Sequence, residues 1–370
     1  MTFGPGRQVW ERFGHNAIWI HDPATGTDEA YNYGLFDFNQ ENFLLRFIRG
    51  QMWYWMAGFP AQRYVAQYER DNRSIWIQEL ELPARAKVQL EEFLQWNAEP
   101  EHRFYHYDYY RDNCSTRVRD AIDRALNGAI RRQTSSVPTG TTYRFHTLRL
   151  TANDPLIYTG LLVALGGGVD RPLSAWEEMF LPLKLREHVR RVTVPGPDGQ
   201  PRPLVRSERT IFESTAPPPP ESPPSWVQWY LLLGVAIGGA ALVLARSARE
   251  VRAARLGLMA VVAVWSLVAG LAGLVLAGMW GLTDHVMAYA NENLLQLDPL
   301  VLLVLPGIAG ALRRPRTARL ASGAALTVAG LSVLGLGLKL VPGFDQVNGP
   351  VIALALPAQL GIAAAVRRLL

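Results

Sequence analysis

The segment Arg111–Asp120 reads RDNCSTRVRD and contains the single cysteine of this 370-residue chain, Cys114. Apolar residues recur every four positions after it, at Val118, Ile122 and Leu126. This spacing predicts an amphipathic helix, and Asn113 or Asp112 can cap its first turn. Cys114 is therefore expected at or near a helix N-terminus. There the helix dipole and the free backbone N–H groups would lower the pKa of its thiol and could receive an oxyanion.

Two alternating segments nearer the N-terminus predict a β-hairpin. Gly14–Ile20 reads GHNAIWI, and Asp28–Asp37, which follows the turn at His21–Pro23, is its expected partner. His15 lies on the first strand. It is the preferred base for Cys114, because a thiol nucleophile needs a neighbouring group that takes its proton.

Further strand and helix patterns fill the space between the hairpin and the cysteine. Residues 74–78 alternate like a strand, and residues 83–97 have helical spacing. An aromatic segment at 104–110 then leads into the cysteine helix. The first part of the chain is therefore expected to mix strands and helices.

The composition divides the chain in two. Hydrophobic residues make up 49% and charged residues 19%, and the mean hydropathy is +0.03, which is too apolar for an ordinary soluble protein. The apolar excess follows Trp226, whereas the part up to about Ser225 is charged and aromatic. This division excludes both a wholly soluble protein and a pure membrane bundle. A lone cysteine also excludes an intramolecular disulfide and a Cys-rich zinc site.

Five apolar segments predict transmembrane helices, at about residues 226–245, 256–283, 297–312, 320–341 and 349–366. The third is the shortest and contains Pro306. Arginines cluster after the first and third segments and at the C-terminus, whereas residues 283–296 and 342–348 contain no Lys or Arg. Because basic loops stay in the cytoplasm, we expect the C-terminus inside and the N-terminal domain outside. The net charge of +5 thus reflects membrane topology and not a nucleic-acid partner.

A proline-rich run at residues 215–225 separates the two parts and predicts an extended polyproline linker. The expected domains are an extracytoplasmic domain at 1–214 and a transmembrane module at 226–370. Residues 1–6 have neither the basic nor the apolar region of an export signal. Either the natural start lies upstream, which we favour, or the expected orientation is wrong.

Six motifs of the first part occur together. They are Gly14-His15-Asn16, Tyr31–Asp37 (YNYGLFD), Tyr105-x-Tyr107, Asn113–Asp120, Tyr143-Arg144 and Asp170–Pro182. This set resembles the N-terminal periplasmic domain of the Lnb-type family of bacterial lipoprotein N-acyltransferases. The resemblance is strongest around Cys114 and His15, and the apolar segments that follow are also similar to that family.

The resemblance implies a circularly permuted papain-like fold of the α+β class, in which the histidine precedes the cysteine. An all-α bundle of about five transmembrane helices would follow. Cys114 would be the nucleophile and His15 the base. Asn32 is the preferred third residue and His21 its rival, since either could bond the imidazole and fix its tautomer.

The implied reaction is acyl transfer in the bacterial inner membrane. Cys114 would take an acyl chain from a membrane phospholipid as a thioester and pass it to the N-terminal amine of a diacylglyceryl lipoprotein. The partners are thus the lipid donor, the lipoprotein acceptor and the membrane; no cofactor, metal or nucleic acid is expected. The expected substrate-binding residues are Asn16, Tyr105, Tyr107, Asn113, Arg117, His285, Asn291 and Asn293. The last three belong to the polar loop 283–295, which could equally be an ordinary solvent-facing connector.

Two other functions stay open. The same cysteine and histidine could hydrolyse amide bonds of cell-wall peptide, with water replacing the amine as acceptor. Alternatively, the chain could be a non-enzymatic membrane scaffold, with Cys114 a buried and inert thiol.

Overall fold

The computed structural model describes residues 1–196, 198–310 and 315–369, and the side chains of 308–310 and 315 are not described. The chain forms two compact units. The first comprises Met1–Asn153 and Arg171–Pro223, and the second Asp154–Asp170 and Pro224–Leu370. The division between Pro223 and Pro224 falls within the proline-rich run 215–225, and residues 154–170 belong to the second unit.

The strands are β1 (Thr2–Phe3), β2 (His15–Asp22), β3 (Thr27–Leu35), β4 (Trp53–Pro60), β5 (Ile75–Leu80), β6 (Phe104–His106), β7 (Thr193–Pro195), β8 (Pro201–Pro203) and β9 (Val205–Phe212). The first nine α-helices are α1 (Phe43–Arg49), α2 (Ala61–Arg70), α3 (Ala84–Ala98), α4 (Cys114–Ala125), α5 (Ala129–Thr134), α6 (Tyr143–Leu150), α7 (Pro155–Ala164), α8 (Ala175–Glu178) and α9 (Pro182–Val189). The helices after the linker are α10 (Val227–Ser247), α11 (Arg252–Leu282), α12 (Val304–Gly310), α13 (Pro315–Leu338) and α14 (Gly349–Leu369).

A seven-stranded antiparallel sheet organises the first unit, in the order β6-β4-β3-β2-β1-β5-β9. The predicted hairpin is confirmed: β2 and β3 pair with Ala17 opposite Asn32. Because side chains alternate along a strand, each face of the sheet has its own core. Ile18 and Tyr31 pack with residues of α3 and α4, whereas Ala17 and Ala30 pack with residues of α2. The first unit is therefore α+β as expected, while the papain-like permutation stays a prediction.

The helix α4 begins at Cys114, as the sequence predicts, because Asn113 caps it. The Asn113 side chain accepts hydrogen bonds from the backbone N–H groups of Ser115 and Thr116, at 2.9 and 3.0 Å. The Thr116 hydroxyl in turn accepts from the Asn113 N–H at 2.8 Å, which completes a capping box. Asn113 Nδ2 also donates to the carbonyls of Tyr109 and Phe180. These bonds fix the start of the helix, and hence the position of Cys114.

Four helices of the second unit, α10, α11, α13 and α14, are long and apolar enough to cross a membrane. The predicted third span, 297–312, differs: it consists of a 3₁₀ turn at Pro299–Leu303 followed by α12. Pro299 and Pro306 explain the interruption, since proline lacks the N–H that a continuous helix needs. Residues 311 and 312 lie outside the described residues.

Small residues let two of the spanning helices meet closely. A Cβ added at Gly238 of α10 would lie 2.3 Å from the Pro357 carbonyl oxygen of α14. A Cβ added at Gly361 of α14 would lie 2.4 Å from the Gly238 Cα. Gly234 and Gly238 thus form a GxxxG contact surface, which is typical of helices packed in a membrane.

Candidate active site

The His15 imidazole is fixed by Asn32 of the neighbouring strand. His15 Nε2 and Asn32 Oδ1 are 2.5 Å apart. Because an amide oxygen can only accept, Nε2 carries the proton and Nδ1 keeps its lone pair. The rings of Phe3 and Tyr68 stack near the imidazole, with centroids 6.2 and 6.3 Å away. His15 is thus held in the tautomer that a general base requires.

His21, the rival of Asn32, lies at the far end of β2. It is six residues from His15, or about 20 Å along an extended strand. Its side chain is exposed and pairs with Asp28, with 3.4 Å between His21 Nδ1 and the carboxylate. The structure therefore supports Asn32 as the orienting residue and not His21.

Gly34 brings the cysteine and the histidine together. The pairing of β3 with β4 shifts in register at this glycine, whose φ is +93°. A Cβ added there would lie 3.3 Å from Cys114 Cβ, 3.8 Å from His15 Cε1 and 3.9 Å from the Tyr105 hydroxyl. The side chains of Cys114, His15 and Tyr105 therefore converge on the Gly34 backbone. Any other residue there would strain the backbone at this φ and press its Cβ against Cys114.

The protonation states differ from the expectation of a ready thiolate. Burial raises the pKa of the Cys114 thiol to about 11, although hydrogen bonds from the backbone of Asn16 and Ser115 act in the opposite direction. Burial lowers the pKa of His15 to about 4, although the hydrogen bond that Nε2 donates to Asn32 acts in the opposite direction. At neutral pH the site therefore holds a neutral thiol and a neutral imidazole.

Tyrosines form the wall around Cys114. Burial raises the pKa of Tyr105 and of Tyr107, and the nearby sulfur acts in the same direction. Tyr107 stacks on Tyr54 with ring centroids 4.1 Å apart. The Tyr105 hydroxyl is buried and has no hydrogen-bond partner among the described residues. A protonated phenol beside Gly34 can therefore donate to a group that enters the site.

Arg73 is a candidate site residue that the sequence did not reveal. It is 5% exposed, its guanidinium lies 4.5 Å from the centre of the Tyr68 ring, and its Nε donates to the Gly4 carbonyl at 2.9 Å. Its charge lowers the pKa values of both His15 and Cys114. No local pattern could single out one arginine among 37 basic residues, because its position depends on the pairing of β1 with β5.

Three other predicted substrate-binding residues of the first unit, Asn16, Asn113 and Arg117, bind other residues of the protein. The Asn16 side chain is buried and donates to Met1 and Thr2, so the part of Asn16 that reaches Cys114 is its backbone. The Asn113 side chain is used in capping α4. Arg117 pairs with Asp112 and lies 4.2 Å above the Tyr105 ring, which fixes that tyrosine.

The predicted substrate-binding residues of the polar loop, His285, Asn291 and Asn293, lie in the second unit. Asn291 Nδ2 donates to the carbonyls of Val163 and Ala164, and Asn293 Nδ2 to that of Val163 at 2.9 Å. These are the last carbonyls of α7, which a helix leaves without internal partners. The two amides therefore cap α7. This contact explains why residues 154–170 join the second unit. For His285, which precedes the 3₁₀ turn Val286–Ala288, a substrate contact stays a prediction.

No group of three His, Cys, Asp or Glu side chains is arranged to hold a metal ion within the described part of the chain. The reactive groups that the structure does bring together are a thiol, an imidazole and several hydrogen-bond donors. A thiol with an adjacent, oriented base can attack a carbonyl carbon and form an acyl-sulfur bond. The Asn113 cap occupies the N–H groups of Ser115 and Thr116, so the backbone N–H groups of Asn16 and Cys114, which lie beside the sulfur, are the candidates to receive the negative charge on the carbonyl oxygen.

Comparison with known proteins supports the resemblance drawn from the motifs. Residues 1–153 match the family model described as the Lnb N-terminal periplasmic domain. The match includes His15, Asn32 and Cys114, and it is followed by four helices that are able to cross a membrane. The resemblance is therefore confirmed over these residues, and it fits a membrane protein with a periplasmic N-terminal domain. No curated protein and no solved structure matches the chain.

Proposed function

We propose that this protein is a membrane-bound acyltransferase that acylates the N-terminal amine of bacterial lipoproteins. The observation that carries the proposal is the convergence of Cys114 and His15 on Gly34, with Asn32 holding the imidazole. This is the arrangement that covalent catalysis by a thiol needs. The family match and the four membrane-capable helices support a substrate that resides in a membrane.

In the first step the thiol attacks the ester carbonyl of a membrane phospholipid. The Cys114 proton passes to His15 Nδ1 as the sulfur–carbon bond forms, because the thiol is neutral at rest. Backbone N–H groups near the sulfur, and the Tyr105 hydroxyl, unpartnered in the part of the chain that the structure describes, would receive the oxyanion. The ester C–O bond then breaks, and His15 returns the proton to the leaving lysophospholipid oxygen. The product of this step is an acyl thioester on Cys114.

In the second step the lipoprotein amine attacks the thioester. His15 Nδ1 takes a proton from the amine nitrogen as the carbon–nitrogen bond forms, and the sulfur leaves and is reprotonated by the imidazolium. An amide and a free thiol result, so the enzyme returns to its starting state. The low pKa of His15, about 4, keeps the imidazole neutral and able to accept the proton in both steps at neutral pH.

A rescue experiment tests the function. The chain, supplied with an export signal, is expressed in a bacterium depleted of its own lipoprotein N-acyltransferase, and lipoprotein N-terminal peptides are analysed by mass spectrometry. We expect triacylated peptides with the unmodified chain and diacylated peptides with Cys114→Ala or His15→Ala. We expect Asn32→Ala to slow N-acylation by about 100-fold, because a small displacement of a catalytic group has a cost of that order.

His21→Ala is the matched control, since it removes an exposed histidine from the same strand. It is expected to restore N-acylation like the unmodified chain. Diacylated lipoproteins in cells that contain folded, inserted protein would contradict the proposal, and release of free fatty acid or of cell-wall peptide would instead support a hydrolase.

A further inference from the structure

The helix α1 is apolar but has no buried residue. It reads FLLRFIR over Phe43–Arg49, and its five large hydrophobic residues remain at least partly exposed. Leu44 is 69% exposed and Ile48 54%. A surface helix of a soluble domain normally turns such residues towards the core. α1 therefore presents its apolar side chains outwards.

Neighbouring aromatic residues enlarge this exposed surface. Phe38 packs edge-on against Phe43 with ring centroids 5.2 Å apart, and Trp10 packs against Phe38 at 6.0 Å. Both side chains are themselves exposed. We call the surface formed by Trp10, Phe38, Leu44, Phe47 and Ile48 the α1 patch. A contiguous patch of this kind marks a contact site, whereas single exposed apolar residues do not.

The charges at the α1 patch fit an anionic surface. α1 carries Arg46 and Arg49 and no acidic residue. Arg46 donates to the backbone carbonyl of Glu41, in the turn before the helix, and Arg49 is exposed. Exposed Trp, Phe and Leu beside arginine are typical of helices that lie at the boundary between lipid headgroups and acyl chains.

Aromatic rings connect the α1 patch with the candidate active site. Phe36 lies 6.4 Å from Phe43, measured between ring centroids, and 5.1 Å from Tyr54. Tyr54 stacks on Tyr107, and the Cys114 sulfur contributes to the raised pKa of Tyr54. An apolar path therefore extends from the patch towards the thiol, within one unit of the structure.

We propose that the α1 patch inserts into a lipid surface and so brings the Cys114 site to the acyl chains of the membrane. The arginines favour lipid phosphates over an apolar protein surface. The four membrane-capable helices of the same chain would anchor the protein in a membrane. The inference concerns docking and does not depend on the thiol chemistry, since a protein without the Cys114 thiol would dock in the same way.

A fluorescent reporter tests the docking. The full chain with Cys114→Ser receives one new cysteine, either Ile48→Cys in the α1 patch or Val88→Cys on α3. Val88 is the matched control, because it is a β-branched residue of the same unit and is 53% exposed. Each protein is labelled with an environment-sensitive dye and reconstituted into vesicles of phosphatidylethanolamine and phosphatidylglycerol. Quenching is measured with doxyl-labelled phospholipid and with aqueous iodide.

We expect doxyl lipid to quench the dye at position 48 and iodide to quench the dye at position 88. Adding Leu44→Glu to the Ile48→Cys protein should reduce the doxyl quenching, because a carboxylate opposes insertion. Iodide quenching at position 48 equal to that at position 88 would overturn the proposal. So would shielding of position 48 from both quenchers, which would mean that protein covers the patch. Because the readout needs no acyl transfer, its failure is distinct from a failure of the proposed reaction.

Discussion

At the scale of single residues, the site depends on how burial sets two proton affinities. Burial raises the pKa of Cys114 to about 11 and lowers that of His15 to about 4. Both shifts favour neutral groups, so the position of Cys114 at the start of α4 does not by itself produce a thiolate. The helix terminus and the nearby Arg73 charge act against burial, but burial has the larger effect.

The first prediction concerns the reactivity of this thiol. Iodoacetamide alkylates thiolates, so the alkylation rate of Cys114 in the full chain should rise about tenfold per pH unit between about pH 6 and pH 9. An unfolded sample, in which the thiol has an ordinary pKa near 8.5, should react faster at neutral pH. A rate that is independent of pH across this range, and that falls in His15→Ala, would reveal a preformed thiolate and contradict the assignment.

The sequence predicted where these residues lie better than it predicted their charge. Local signals placed Cys114 at the start of a helix and His15 on a strand, because a capping residue and alternation act over a few positions. Their proton affinities depend on long-range packing around Gly34 and on Arg73, which contacts segments distant in sequence. The side chains of Asn16 and Asn113 have partners within the protein, while their contact with substrate stays a prediction.

At the scale of elements, the irregularity of β3 at Gly34 positions the site. The register shift and the positive φ let the strand pass close to Cys114 without a side chain in between. The alternation of its residues predicted the strand but not its register shift. A glycine in a strand pattern does not indicate which residues pack against it. The exposed helix α1 was also not predicted, since seven residues are too few for a clear helical period.

The second prediction compares two glycines of the β2–β3 hairpin, Gly34 in β3 and Gly26 in the connecting turn. Gly34→Ala and Gly26→Ala both place a side chain at a positive φ, +93° and +75°, and each should lower the free energy of unfolding by about 1–2 kcal/mol. Position 34 lies near Cys114 and His15, whereas a Cβ at Gly26 meets nothing within 4 Å. Chemical denaturation should therefore show similar losses, whereas N-acylation should fall in Gly34→Ala alone. Equal activity of the two variants would contradict the role of Gly34.

At the scale of the whole molecule, the second unit raises a question of topology. Four helices are long enough to cross a membrane, whereas the 3₁₀ turn Pro299–Leu303 and α12 together extend about 20 Å, less than the ~30 Å of a hydrocarbon core. Whether this short segment crosses decides the side on which the loop between α13 and α14 lies. The positive-inside rule predicts that it crosses, because arginine clusters occur on both sides of the α11 and α12 pair.

The third prediction resolves this topology with two exposed positions. In a Cys114→Ser background, Val347→Cys should react with a membrane-impermeant maleimide in intact spheroplasts. Arg249→Cys, between α10 and α11, should react only after the membrane is permeabilised, since basic loops stay inside. Protection of both positions would mean that the short segment does not cross and that the C-terminus lies outside. That outcome would contradict the five-span arrangement.

The central claim is that Cys114 carries the acyl group, and intact-protein mass spectrometry tests it most directly. The full chain, reconstituted with phospholipid and without a lipoprotein acceptor, should gain the mass of one acyl chain. Neutral hydroxylamine should remove the adduct, peptide mapping should assign it to Cys114, and it should be absent from Cys114→Ala and His15→Ala. An unmodified mass for protein that is folded and inserted, or an acyl chain that stays attached to Cys114→Ala, would contradict the claim.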